Sequence, residues 1–366
     1  MELKYKPDWE IVKKRLNALW DREILDRCCV AVTAPMDKDK PYIENVPTDP
    51  DGLKAYYLDV EWILQRNIER MEKTYFGGDA FPCIFPYFGT GGHAKYLSPE
   101  VIYRPDTIWI PAVMEEYEGF DFSFDPETNK IFKKEREIIC TLAKEGMGKF
   151  FVSPPDNCGS LDALSQLRGN SNLLMDFYDQ PDELKNALEK LINIWKESSS
   201  IIFHDIYENN DQGCIHGWMN TWSDGSHMQL QCDESVMFSS DTYKEFEIPE
   251  LEECSAFMQH AIYHMDGMEQ LRHMEMITDV PNINMIQWIQ VAGQPSISNF
   301  WEQLRRMQKK QKGLVLQIKK NQLKDVLQEL SPRGVILIVE GAESKEEADA
   351  IVNYVNKYHF SKEQLY

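Results

Sequence analysis

Ala261-Ile-Tyr-His-Met-Asp-Gly267, Met268-Glu-Gln-Leu-Arg-His-Met-Glu-Met-Ile277 and Pro281-Asn-Ile-Asn-Met-Ile-Gln-Trp288 stand close together in this chain. A short β-branched and aromatic run is followed by a helix-compatible stretch. A second apolar run then begins after Asn282 and Asn284, which is the pattern of one strand–helix–strand unit. In parallel α/β folds ligands bind at the carboxyl ends of the strands. His264 and Asp266 therefore stand where chemistry is expected. The competing reading is local: Asp266-Gly267 makes the turn, and His264 is a buried histidine with a backbone partner.

Outward from this unit, apolar strand-like runs recur at 79–85, 149–153, 213–218, 228–233, 261–264, 285–289, 313–318 and 335–340. Helical periodicity occupies 161–174, 182–208, 240–259, 270–278, 300–311, 323–330 and 344–357. Eight strands alternating mainly with helices predict an α/β fold, a closed (β/α)8 TIM barrel over residues 76–366. Residues 1–75 read as an N-terminal helical extension packing on the barrel. Trp9, Ile11, Val12, Leu16, Leu19 and Trp20 have helical spacing there, an extended run covers 28–34, and helical periodicity returns over 53–75. The connection between residues 85 and 149 is too long for a plain loop, so it is expected to cover a pocket and bring Tyr87, His93 or Trp109 to it.

Composition narrows the function. An apolar share of 43% and a charged share of 27% describe a globular protein, and no apolar run reaches the length of roughly 18 residues that a spanning helix needs. No apolar signal core follows Met1, so the chain reads as cytoplasmic, with no membrane partner. A net charge of -21 repels phosphate backbones, which excludes nucleic acid as an expected partner. The eight cysteines form no Cys-x-x-Cys pair and read as reduced thiols.

If the barrel forms, strand ends gather Trp218, Cys232, Asp233, His264, Asp266, Gln287, Trp288 and Glu340. Imidazole with carboxylates suits zinc, and a catalytic site needs three protein ligands and one open position. His264, Asp266 and Glu340 are the expected ligands, with Asp233, His264 and Asp266 as the catalytic group. Substrate contacts are expected from His93, Trp218, Cys232, His273, Gln287 and Trp288. Each has a bland counterpart: Trp218 and Trp288 as core, His273 as a structural histidine in the following helix, and His93 as part of a flexible glycine turn. Cys232 is the thiol that a zinc ion at a strand end would deprotonate.

Several stretches together resemble the uroporphyrinogen decarboxylase superfamily. They are Ser160-Leu-Asp-Ala-Leu-Ser-Gln-Leu-Arg-Gly169, Asn172-Leu-Leu-Met-Asp-Phe-Tyr-Asp-Gln-Pro181, Ser239-Ser-Asp-Thr-Tyr-Lys-Glu-Phe-Glu-Ile-Pro249 and Tyr263-His-Met-Asp-Gly267. The resemblance covers about residues 70 to 356. It implies a (β/α)8 barrel, frequently a homodimer, with one of two chemistries: metal-free decarboxylation of a tetrapyrrole, or zinc-dependent methyl transfer between a small methylated compound and a corrinoid carried by a partner protein. The arginine-rich motif of the decarboxylases is replaced here by Arg27-Cys-Cys-Val-Ala-Val-Thr-Ala-Pro-Met36, and Phe85-Pro86-Tyr87 stands where their catalytic aspartate is expected after Asp79. Against the methyltransferase pattern His-x-Cys with a second, later cysteine, His264 matches, Asp266 replaces the first cysteine and Glu340 stands at the second. The leading expectation is therefore zinc-dependent methyl transfer to a corrinoid on another protein. A porphyrinogen decarboxylase is the alternative, and a non-catalytic barrel binding a corrinoid or tetrapyrrole is the third reading.

Overall fold

The computed structural model describes residues 1–365. Its centre is a seven-stranded sheet in the order Thr74–Gly78, Cys29–Pro35, Val335–Glu340, Gly313–Lys319, Ile283–Ile289, His260–Asp266, His227–Leu230. Every neighbouring pair is parallel except Thr74–Gly78, which runs antiparallel to Cys29–Pro35. The strands are apolar on both faces, as a parallel sheet covered on both sides requires: Leu314, Leu316, Ile336, Leu337, Ile262 and Ile286 are all buried.

The predicted α/β class is what the structure shows, but the backbone ladder is not a closed ring of eight. Five of the eight expected strands lie side by side in the sheet. The strand Cys29–Pro35, read from sequence as part of an extension, pairs with Val335–Glu340 inside it. The other three expected strands are short and lie outside it. Cys83–Ile84 pairs in parallel with Phe151–Val152, and Cys214–His216 turns back antiparallel on Thr221–Ser223. The physical reason is local. Pro82 and Pro86 flank the first of these pieces and Pro154-Pro155 follow the second, and proline offers no ladder donor. Side chains complete the seam. The Val152 amide donates to Asn209 Oδ1 and Asn210 Oδ1 at 2.9 and 3.0 Å, and its carbonyl accepts from Asn210 Nδ2 at 2.8 Å.

Helices differ from expectation where tertiary contacts break them. The periodic stretch 161–174 is two helices, Ser160–Arg168 and Asn170–Asp179, hinged at Gly169 with φ +85°. The hinge is clamped by a two-pronged bond from Arg168 to Asp176, at 2.8 and 3.1 Å. The stretch 53–75 is Pro50–Leu58, then Val60–Glu72 capped by Asp59, then the edge strand Thr74–Gly78. The stretch 240–259 contains a π-helical turn at Tyr243–Glu247.

The predicted N-terminal helix forms as Trp9–Trp20 and packs against the short strands. Trp9 meets Phe81, Phe151 and Trp222 edge-on and donates its indole N–H to Asp211. Emptying such a tryptophan site costs about 3–5 kcal/mol. Within the long connection, the 3₁₀ turn Gly92–Leu97 is pinned by a buried Lys95–Glu135 pair at 2.6 Å, and a small hairpin of Ile102–Tyr103 and Ile108–Trp109 follows. Among the described residues no helix is long and apolar enough to cross a membrane.

Candidate metal centre and adjoining cavity

The strand His260–Asp266 delivers two polar side chains on one face, since residues two apart in a strand point the same way. Beside it His227–Leu230 runs parallel, with Tyr263 opposite Leu230, and three residues later the chain reaches Asp233. One ligand atom each from Asp233, His264 and Asp266 lies within 4.8 Å of the others. This is the spacing a divalent ion can gather. Glu340 is not in the group. It is exposed, bonded to Gln317, and lies three strands away, which at sheet spacing is about 14 Å; the third member of the group is Asp233.

Gln287 sits opposite His264 in register, fully buried, and its carboxamide oxygen meets His264 Nδ1 at 2.7 Å. An amide oxygen only accepts, so the Nδ1–H donates to it and Nε2 is the ring nitrogen left for a metal. Asp266 is not spent on its turn. The amide of Asp266 bonds Gln270, that of Gly267 bonds the Met265 carbonyl, and that of Met268 bonds Gln294. The amides a turn-forming aspartate would cap already have partners, which leaves the Asp266 carboxylate for another role. Gly267 has φ +86°, and a Cβ there would come within 2.6–2.9 Å of Gln294 and Val291.

Two carboxylates near the centre, Asp233 and Asp156, are raised. Asp233 is pushed up by the surrounding protein atoms, opposed by His264, and pushed further by Asp266. Its surface opens toward solvent while dense protein surrounds it. Asp156, just past Phe151–Val152, is raised to about 6: burial is the main cause and Asp233 adds to it, against His264, Lys95 and a 2.9 Å bond from Gln229. Gln229 also bonds His216, whose enclosure lowers its pKa to about 4 and keeps it neutral. The sequence reading missed Asp156. Its available signal was the strand-end position in Val152-Ser-Pro-Pro-Asp156.

The expected substrate residues divide. Trp218 is half-buried and edge-on to His264, with ring centroids 5.1 Å apart, so it walls the centre. Gln287 is bonded to His264 and does not line the cavity described below. His93 is fully buried and held by Asn157 at 3.1 Å and Ser160 at 3.5 Å, so it clamps the long connection to the helix beneath. His273 is buried, stacked on Tyr243 at 4.1 Å and bonded to the Ser235 carbonyl. Cys232 points into the interior, where burial first and Glu247 second push its thiol well above the ordinary range. Trp288 is core, packed on Phe300. These four are sealed off by neighbours from other elements.

A cavity of about 360 Å³ opens beside Asp233. The long connection forms one wall through Ile108, Trp109 and Ile110, and Asp162, Asp233 and Glu234 form part of another. Tyr87 lies lower in the connection, half-buried.

No protein-family model and no curated protein matches the chain in sequence. Its fold is nevertheless shared. A solved structure described as a methyltransferase from Methanosarcina mazei superposes with a TM-score of 0.57, covering 94% of this chain and 98% of that one at 12% identity. Likeness at that identity is a likeness of fold.

Proposed function

We propose that this chain is a metal-dependent methyltransferase that takes a methyl group from a small methylated compound and passes it to a corrinoid on a partner protein. The observation carrying this reading is the convergence of Asp233, His264 and Asp266 beside the cavity, with His264 oriented by Gln287 and Asp266 free of its turn. The shared fold with the Methanosarcina mazei methyltransferase supports it. One nitrogen and two carboxylates form a donor set that zinc accepts, and when bound the ion would supply a Lewis acid beside the substrate. Asp156, with a pKa of about 6, holds or yields a proton near neutrality and is suited to protonate the departing heteroatom. Trp218 excludes water from the His264 side.

The decarboxylase reading has less to rest on: Phe85-Pro86-Tyr87 stands where its catalytic aspartate is expected, and the preceding Asp79 is fully buried in bonds to Arg15, Arg27 and the Val30 amide. The described residues lining the cavity include no Lys or Arg to hold a tetrapyrrole's carboxylates.

The purified chain should retain about one zinc per molecule, and a folded His264→Ala variant should lose it, because removing a ligand costs more than the 10- to 100-fold effect of disturbing its outer partner. Elemental analysis alongside circular dichroism measures both. Absorbance of free cob(I)alamin under methylated amines and methoxy compounds then reads transfer. A zinc-free wild type, or a folded His264→Ala variant that is zinc-replete, would sink the metal assignment.

A further inference from the structure

The charge of the cavity is one-sided. Asp162, Asp233 and Glu234 line it, and no Lys, Arg or His does among the described residues. Asp233 and Asp266 together balance a divalent ion, so Asp162 and Glu234 are left over. Glu234 Oε1 accepts from Ser165 at 3.1 Å and Asn170 at 2.9 Å, and Asp162 Oδ1 accepts the Glu234 amide at 3.0 Å. Asp162 Oδ2 has no partner, although the residue is only 6% exposed. A buried carboxylate oxygen without a partner is costly, and positive charge in the adjoining cavity lowers that cost. Trp109, 64% exposed, also lines the cavity. Tryptophan is the strongest aromatic seat for a cation, and carboxylates with an indole are the recognition chemistry of alkylated ammonium groups. An anionic substrate would meet a lining of acidic side chains with no cation to receive it.

We infer that the cavity takes a methylated ammonium compound, with its cationic head between Trp109 and the Asp162–Glu234 side. This rests on the methyltransferase reading for its role as substrate, but the binding itself is independent of the metal. Titration calorimetry on the zinc-supplemented chain with choline, and with 3,3-dimethylbutan-1-ol as its neutral carbon isostere, tests it. Choline should bind at least about tenfold tighter than the isostere, and Trp109→Leu should narrow that ratio several-fold, the range of a cation–π contact. Asp162→Asn, which keeps the acceptor for the Glu234 amide, should narrow it as well. Equal affinities, no choline binding, or a preference unchanged in Trp109→Leu would overturn the inference. Zinc stoichiometry on the same samples separates the two proposals: zinc without choline selectivity leaves the metal centre standing and removes the cationic ligand, and choline selectivity without zinc does the reverse.

Discussion

Asp79 and Asp266 each follow or end a strand of the same sheet, yet their surroundings are opposite. Asp79 accepts from two arginines and a backbone amide: Arg27 at 3.0 Å plus a shorter second bond, Val30 at 2.8 Å and Arg15 at 3.3 Å. Asp266 is half-buried, and the amides of its own turn are partnered elsewhere. The first carboxylate is consumed in joining the N-terminal helix to the sheet. The second is held ready by neighbours that do not use it. The contrast teaches that the carboxylate with the stronger electrostatic environment is here the structural one, and that availability marks the site.

The comparison breaks if these two residues respond alike to substitution. Asp79→Ala leaves Arg27 buried without its counter-charge, and should lower stability by about 3–5 kcal/mol in denaturant unfolding. Asp156 lies between the extremes. Its folded pKa of about 6 exceeds the ordinary 3.8, so its contribution to stability is fully present below about pH 4 and is lost as pH rises through 6. In metal-free protein, Asp156→Asn should therefore gain about 1–3 kcal/mol on wild type between pH 4 and pH 7. A pH-independent difference would show that Asp156 is not held protonated by its surroundings. The smallest effect is expected at Asp266 itself. In metal-free protein Asp266→Asn should change stability by less than about 0.5 kcal/mol, as at a site making no side-chain bond. Asp266→Cys should keep zinc, since the ion accepts sulfur and oxygen in one shell. A large loss of melting temperature in Asp266→Asn would return the residue to its turn.

The sequence made the strand–helix–strand unit of 261–288 legible because its apolar runs and turn residues obey local rules, and those rules also put His264 and Asp266 on one face. Asp233 was legible for the same reason, as a carboxylate just past a neighbouring run. What local rules omit is adjacency. Glu340 ends a strand, as expected, but two strands stand between its strand and that of His264 in a sheet order that no single stretch encodes. His93 and His273 failed differently: each is sealed by residues far along the chain, Asn157 and Ser160 for one, Ser235 and Tyr243 for the other. Asp156 escaped notice because its strand is only two residues long and prolines hide the strand end.

The Val152 seam makes one stretch of wall depend on two rotamers. Elsewhere a strand's neighbour is another backbone, which no single substitution can delete. Beside Phe151–Val152 that neighbour is the amide heads of Asn209 and Asn210, both buried. Here a point change of side chain would strip the Val152 backbone of its partners on that edge, so the wall carries a stitched joint, and the stitch lies a few residues from Asp156.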